Sequence, residues 1–198
     1  MKITRVWIAL GIATLTTLWA EVPQCTWRAK DFDVTWTAYK TPFKIGVSGS
    51  FGTVKLHAKP AESETALLKN ASVTIETDSV DSGNKGRDKK LVQAFFNVQG
   101  VKSIEAKTVD VDDEKGVVTL DITLNGITRR VPMHLKKEKD ALIADGVIDL
   151  GDFDMLPSLH ALTKACEKPH QGKTWQDVNL QFKLWLKKKC DERESIAD

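Results

Sequence analysis

The stretch VVTLDITLNGITRRVPMHL, residues 117–135, reads as a β-hairpin folded at Asn125-Gly126. Asn-Gly between two alternating runs is the strongest short hairpin signal, because both turn residues must take positive φ. A two-residue turn pairs Leu124 with Ile127, Leu120 with Val131 and Val118 with Met133, which makes one face almost continuously apolar; Ile122 lies on the same face. The other face pairs Thr123 with Thr128 and Asp121 with Arg130, a hydroxyl pair and an ion pair suited to water. Turn and pattern specify the same register, and a one-residue slip would invert it. So one-sided a hairpin needs something apolar to cover.

Working outward, the same one-sidedness recurs. Residues 26–40 put Phe32, Val34, Trp36 and Ala38 on one face and Asp31, Asp33, Thr35 and Thr37 on the other. Thr41-Pro42 breaks that strand. The next carries Phe43, Ile45 and Val47 in phase, kinks at Ser48-Gly49-Ser50, and continues through Phe51, Val54 and Leu56, since glycine inside a strand marks a bulge or close approach. A third strand, 71–80, turns Val73 and Ile75 one way. Residues 84–97, NKGRDKKLVQAFFN, lose the alternation and space Leu91, Ala94 and Phe95 as a short helix does. Alternation returns over 101–111 with Ile104, Ala106 and Val109, and a phase slip near Lys107 suggests a bulge. After the hairpin, 141–150 form a less clean strand. FDMLPSLHALTKAC, 153–166, reads as a second helix with Pro157 in its first turn. In the last strand, 175–187, Val178, Leu180, Phe182, Leu184 and Leu186 alternate with polar neighbours.

The chain is therefore expected to be all-β: eight antiparallel strands with two short helical insertions. These close most simply into an up-and-down barrel, which removes sheet edges; a two-sheet sandwich uses the same pattern.

The first twenty residues combine Lys2 and Arg5 with an uncharged apolar run from Val6 to Ala20, the layout of a secretory signal peptide cleaved near Ala20. An uncleaved anchor is the alternative, although the run is short for a span of about 20 apolar residues. The expected organisation is a leader over 1–20, one barrel domain over 21–190 and a charged tail over 191–198, exported to the periplasm or secreted. Beyond the leader, 27 basic side chains face 27 acidic ones. No basic patch argues for nucleic acid, and no stable membrane insertion is expected once the leader is gone. Homodimerisation stays open. Cys25, Cys166 and Cys190 would meet an oxidising compartment, so one disulfide and one leftover thiol are expected. Three pairings are open; a closed even-stranded barrel, whose first strand starts at the rim where its last ends, favours Cys25 with Cys190.

Catalytic signatures are missing: no G-x-S-x-G, H-E-x-x-H, Walker A or G-x-G-x-x-G string occurs. Asp112-Asp113 and Asp152 with Asp154 read as solvated turn acids rather than acid/base pairs. His160, Cys166 and His170 have the ligand chemistry for zinc or copper, but Cys166 is also wanted for a disulfide and Pro169 and Gly172 interrupt the stretch, so no metal is expected. What is left is apolar surface on every strand. An eight-stranded barrel either fills its interior with side chains or holds one small ligand, and alternation alone does not separate the two. Phe95-Phe96 and Phe153 with Met155, from the helical insertions, would cap a mouth and tolerate a flexible apolar guest.

At this point the residues resemble the YceI-like family, secreted bacterial lipocalin-like barrels that bind polyisoprenoid or other long-chain lipids. NKGRDKKLVQAFFN is similar to the family's helix stretch, with Arg87, Asp88, Leu91, Phe95 and Phe96 at matching places and Asn97 where the family has an acid. LDITLNGITRRVPMHL resembles its hairpin at Leu124, Gly126, Ile127, Thr128, Arg129 and Val131. Trp27 with residues 32–36, and Val47-Ser48-Gly49-Ser50-Phe51-Gly52, are similar to its first strand and following turn. Departures are Arg130 where proline is frequent, Pro132 two residues on, and the cysteine-bearing insertion 153–175. The resemblance implies a lipocalin-like barrel and a periplasmic or secreted carrier, not an enzyme, with a polyisoprenoid, isoprenoid quinone or fatty-acid derivative in its lumen and no other cofactor. The family offers no catalytic residues to carry over, so the expected lining is inferred from phase. From the strands come Phe32, Val34, Trp36, Phe43, Ile45, Val47, Leu120, Ile122, Val131, Met133, Leu180, Phe182 and Leu184. The helices add Leu91, Phe95, Phe96, Phe153 and Met155. Arg129, beside the hairpin turn, could greet a headgroup at one rim. A filled barrel serving as an interaction or stress-response module is the alternative, and an enzyme on a lipid-like substrate would lack an identifiable nucleophile.

Overall fold

A computed structural model describes residues 25–190; the expected leader and charged tail lie outside the described residues. The hairpin comes out in the expected register. Strands β7 (Val117–Leu124) and β8 (Ile127–Glu138) pair Leu124 with Ile127 and Val117 with His134. Asn125 and Gly126 both take positive φ, 53° and 72°, as a turn matching strand twist requires. On the wet face Arg130 holds Asp121 through two hydrogen bonds of 2.9 and 3.2 Å, and Thr123 bonds Thr128 at 2.8 Å.

The other strands are β1 (Cys25–Lys40), β2 (Ile45–Phe51), β3 (Val54–His57), β4 (Ser72–Glu76), β5 (Val80–Asp81), β6 (Ser103–Asp112), β9 (Ala141–Asp149) and β10 (Thr174–Cys190). Ten segments reduce to eight staves. β2 and β3 are one strand bent at Gly52-Thr53, pairing β1 with its first half and β4 with its second. β4 and β5 are likewise one strand, interrupted by a 3₁₀ turn at Thr77–Ser79, and β5 pairs β2. Since β10 pairs β1 from Cys25 opposite Cys190 to Lys40 opposite Thr174, the ladder runs round an antiparallel ring. The expected bulge near Lys107 falls between Thr108 and Asp110, where the β6–β7 register shifts; it turns Val109 outward, against its expected phase.

Three insertions carry helices, one more than expected. α1 (Glu64–Lys69) lies between β3 and β4, capped by Ser63 Oγ, which accepts from the Ala66 amide at 3.1 Å. Six residues give too little periodicity to read, yet Leu67 is fully buried. α1 plugs the end of the barrel where the chain enters, tied there by the Lys137–Glu64 ion pair and by the Thr65 hydroxyl, which donates to the Asp113 carboxylate. The other end is roofed by α2 (Lys85–Ala94) and by α3 (Leu156–Ala165) with the single turn α4 (Glu167–His170). α2 starts where expected, with Asn84 Oδ1 accepting from the Arg87 amide at 3.0 Å, and α3 carries Pro157 in its first turn. Gln99 joins the two roof pieces, its Nε2 donating to the Asp154 carbonyl and its Oε1 accepting from the Ser158 hydroxyl at 2.7 Å.

The disulfide is Cys25–Cys190, clamping the first strand to the last, while Cys166 is a buried free thiol. Among the described residues no helix is long and apolar enough to cross a membrane.

Candidate functional site

The barrel interior is apolar along its length and incompletely filled. A cavity of about 110 Å³, the main one of the lumen, lies under the α2–α3 roof. Val34 and Trp36 from β1, Phe51, Ile75, Ile122 and Phe182 from the walls, and Leu91, Phe95, Phe96, Leu159 and Leu162 from above line it. A second cavity, about 50 Å³, sits toward the α1 plug among Phe32, Leu56, Leu68, Val73, Leu120 and Leu184. Phe182 touches both and divides them; its ring stacks on Phe32 with centroids 6.3 Å apart.

Local sequence explains how these walls fit together. Trp36 faces Gly49 across the β1–β2 ladder, and a Cβ at Gly49 would lie 2.5 Å from the indole. Glycine here, in a regular stretch of β2 rather than at the expected kink, makes room for the largest lining side chain, whose Nε1 reaches the Ser50 carbonyl at 3.4 Å. Gly146 does the same for Met133, whose Cε would be 2.7 Å from an added Cβ. In the roof, Arg87 and Asp88 act as a local clasp. The Asp88 carboxylate accepts from the Ser82 amide and hydroxyl, and Arg87 Nε and Nη2 donate to Ser82 Oγ and its carbonyl, each at 2.7 Å. Burial pushes the Asp88 carboxyl up, but the Ser82 bonds and the Lys85 and Arg87 charges outweigh it and hold it below the usual range.

Most of the expected lining residues reach these cavities, among them Phe32, Val34, Trp36, Leu91, Phe95, Phe96, Leu120, Ile122, Leu180, Phe182 and Leu184. Val131, Met133, Phe153 and Met155 are buried in the surrounding core without bordering a cavity. Two expectations are corrected: Phe43 and Ile45 are 81% and 52% exposed. Phe43 sits in a turn where Thr41 and Lys44 take positive φ, and Ile45, though in phase with Val47, stands at the strand end where nothing covers it. Arg129 is exposed beside the hairpin turn and donates Nη1 to the Thr128 carbonyl at 3.2 Å. Sequence reasoning left Phe51, Ile75, Ile104, Leu124, Ile148, Leu159, Leu162 and Val178 out of the lining, although most were visible as in-phase apolar positions.

A third cavity, about 70 Å³, lies at the mouth between β1, α2 and the α3–α4 segment. Val47 borders it. It shares Trp36, Ala38, Leu91, Leu162 and Thr174 with the main cavity but adds Lys40, Arg87, Lys90 and His170. The His170 imidazole is held below its usual range by burial and by the Lys40 and Lys90 charges. Its Nδ1 hydrogen-bonds the Thr174 hydroxyl at 2.9 Å. Among the described residues no group of three His, Cys, Asp or Glu is arranged to hold a metal.

Comparison with known proteins agrees with this architecture. Residues 25–186 match the sequence signature of the YceI-like domain. A UPF0312 protein of Pectobacterium carotovorum is 31% identical over 109 residues, covering 48% of this chain and 57% of that protein. Protein YceI of Escherichia coli O157:H7 is 28% identical over 130 residues, covering 58% and 68%. Among solved structures, a polyisoprenoid binding domain from Saccharophagus degradans superposes with a TM-score of 0.58 at 13% identity, covering 84% of this chain and 99% of that one. BcnA of Burkholderia cenocepacia gives 0.55 at 18%, covering 79% and 96%. At these identities the structural likeness speaks for the fold.

Proposed function

The chain belongs to the YceI-like domain family, and on that premise we propose that it is a periplasmic or secreted carrier holding one long apolar chain, a polyisoprenoid, isoprenoid quinone or fatty-acid derivative, in its barrel lumen. The observation that carries the reading is a barrel interior whose main cavity has Thr174 as its one hydroxyl-bearing or charged lining residue. A cavity so lined offers a polar solute little beyond the Thr174 hydroxyl but removes a hydrocarbon from water at about 25 cal/mol per Å² buried. The Cys25–Cys190 disulfide fits an oxidising compartment, and the solved Saccharophagus domain is named for polyisoprenoid binding.

The cavities are small beside ligand pockets of about 300–1,000 Å³. A bound chain must therefore open them further, and Phe182, between the two lumen spaces, is the side chain to swing aside. The competing reading, a filled barrel serving as an interaction module, draws on that same smallness. Titration with the apolar fluorophore N-phenyl-1-naphthylamine separates the two. A carrier gives saturable enhancement at one site per chain, lost in Phe182→Asp while the far-ultraviolet dichroism is kept. No enhancement with the delipidated wild type contradicts the carrier.

A further inference from the structure

The mouth cavity differs from the lumen in charge. Lys40 from β1, Arg87 and Lys90 from α2, and His170 from α4 converge on it, and no acid lines it. Among the described residues, neither Lys40, Arg87 nor Lys90 has a carboxylate within ion-pair distance. Asp88, next to Arg87 in sequence, feels the Arg87 charge and gives its hydrogen bonds to Ser82. Arg87 gives Nε and Nη2 to Ser82, and among the described residues Nη1 has no partner. Three elements thus bring positive charge to one place, that of Lys40 and Lys90 without an ion-paired acid, at a Coulombic cost unless an anion shares the site.

The position of this charge relative to the lumen is the second observation. Thr174, the one hydroxyl on the main cavity wall, stands on the wall shared with the mouth cavity. It is hydrogen-bonded to His170 Nδ1 and to Thr163 Oγ1, both at 2.9 Å. An amphiphile whose chain lies among Trp36, Leu91 and Leu162 would bring its polar end out past Thr174 into the cationic pocket. Cations around a partly enclosed pocket hold a carboxylate or phosphate by charge-assisted hydrogen bonds, which a neutral hydroxyl does not form with equal strength.

Resting on the carrier reading, we propose that the mouth cavity is a headgroup subsite selecting single-chain amphiphiles with an anionic head, a carboxylate or phosphate, held by Lys40, Lys90 and Arg87. The bulk of the affinity still comes from the chain; the subsite decides which chains are retained.

The test compares ligands with one tail and different heads on the delipidated protein, following Trp fluorescence and calorimetry. Dodecyl phosphate and dodecanoic acid are expected to bind at least about tenfold more tightly than 1-dodecanol. The double variant Lys40→Gln/Lys90→Gln is expected to cut that ratio to under about threefold, with near-ultraviolet dichroism reporting the fold, and the wild-type ratio should shrink as salt rises. Equal affinity for dodecanol and dodecyl phosphate in the wild type overturns the headgroup subsite and leaves the carrier reading standing. So does a ratio that the double variant leaves unchanged. Inorganic phosphate binding as tightly as dodecyl phosphate would make the pocket a free-anion site and overturn it too. If no dodecyl ligand binds, the carrier reading falls first and takes the subsite with it.

Discussion

Gly49 and Trp36 show how single residues set the shape of the interior. The sequence marks Gly49 as a kink, and its effect is a vacancy that the indole fills, with an added Cβ only 2.5 Å from the ring and 2.7 Å from the Asp81 carbonyl. Gly49→Val is therefore expected to expel Trp36 from its place, red-shift its emission and cost about 1–3 kcal/mol, the usual range for overpacking; an unshifted spectrum with unchanged stability would refute the contact. Asp145 gives a pH prediction. Burial pushes its carboxyl up, yet hydrogen bonds from Gln181 and Lys136 prevail and hold it below its ordinary value. A carboxyl depressed in the folded state stabilises above its unfolded pKa of about 3.9 and loses that contribution as pH falls through the folded value. Denaturant midpoints should thus fall between about pH 5 and 2, less steeply in Asp145→Asn. At this scale the sequence told inside from outside along most walled strands, Val109 beside the β6 bulge being the exception. It misjudged Phe43 and Ile45, because phase says which side a residue faces and not whether anything lies there.

Among the elements, the hairpin β7–β8 was the most legible, since turn chemistry and alternation demanded one register and the ladder adopts it. α1 was the least legible: six residues hold under two helical turns, and its existence depends on an open barrel end that needs Leu67. The split of two staves into β2–β3 and β4–β5 was half visible: a kink was expected at Ser48-Gly49-Ser50 but the bend falls at Gly52-Thr53, and nothing announced the 3₁₀ turn at Thr77, whose hydroxyl donates to the Val101 carbonyl at 2.8 Å. The closure of the ring depends most on β1 against β10, which the disulfide staples at one end. Cys25→Ser/Cys190→Ser is expected to lose about 2–5 kcal/mol in urea unfolding, as removal of a native disulfide commonly does. A loss under about 0.5 kcal/mol, the size of an ordinary surface substitution, would mean that the clamp is idle.

At the scale of the whole molecule, alternation along most staves favoured a closed sheet with an apolar inside over a sandwich, and closure favoured the Cys25–Cys190 pairing that is found. How much of that inside is empty could not be read, because cavities are what remains after side chains from all eight staves and the roof have packed. The cationic mouth was hidden for a related reason: Lys40, Arg87, Lys90 and His170 are spread over 131 residues of sequence and meet only in space. The central claim is that this interior carries one lipid chain. Native mass spectrometry of the mature protein purified from its own compartment, followed by organic extraction, tests it most directly. The account predicts a mass excess of one ligand per chain that extracts as a long-chain lipid; a clean ligand-free mass under gentle ionisation, with an empty extract, would contradict it.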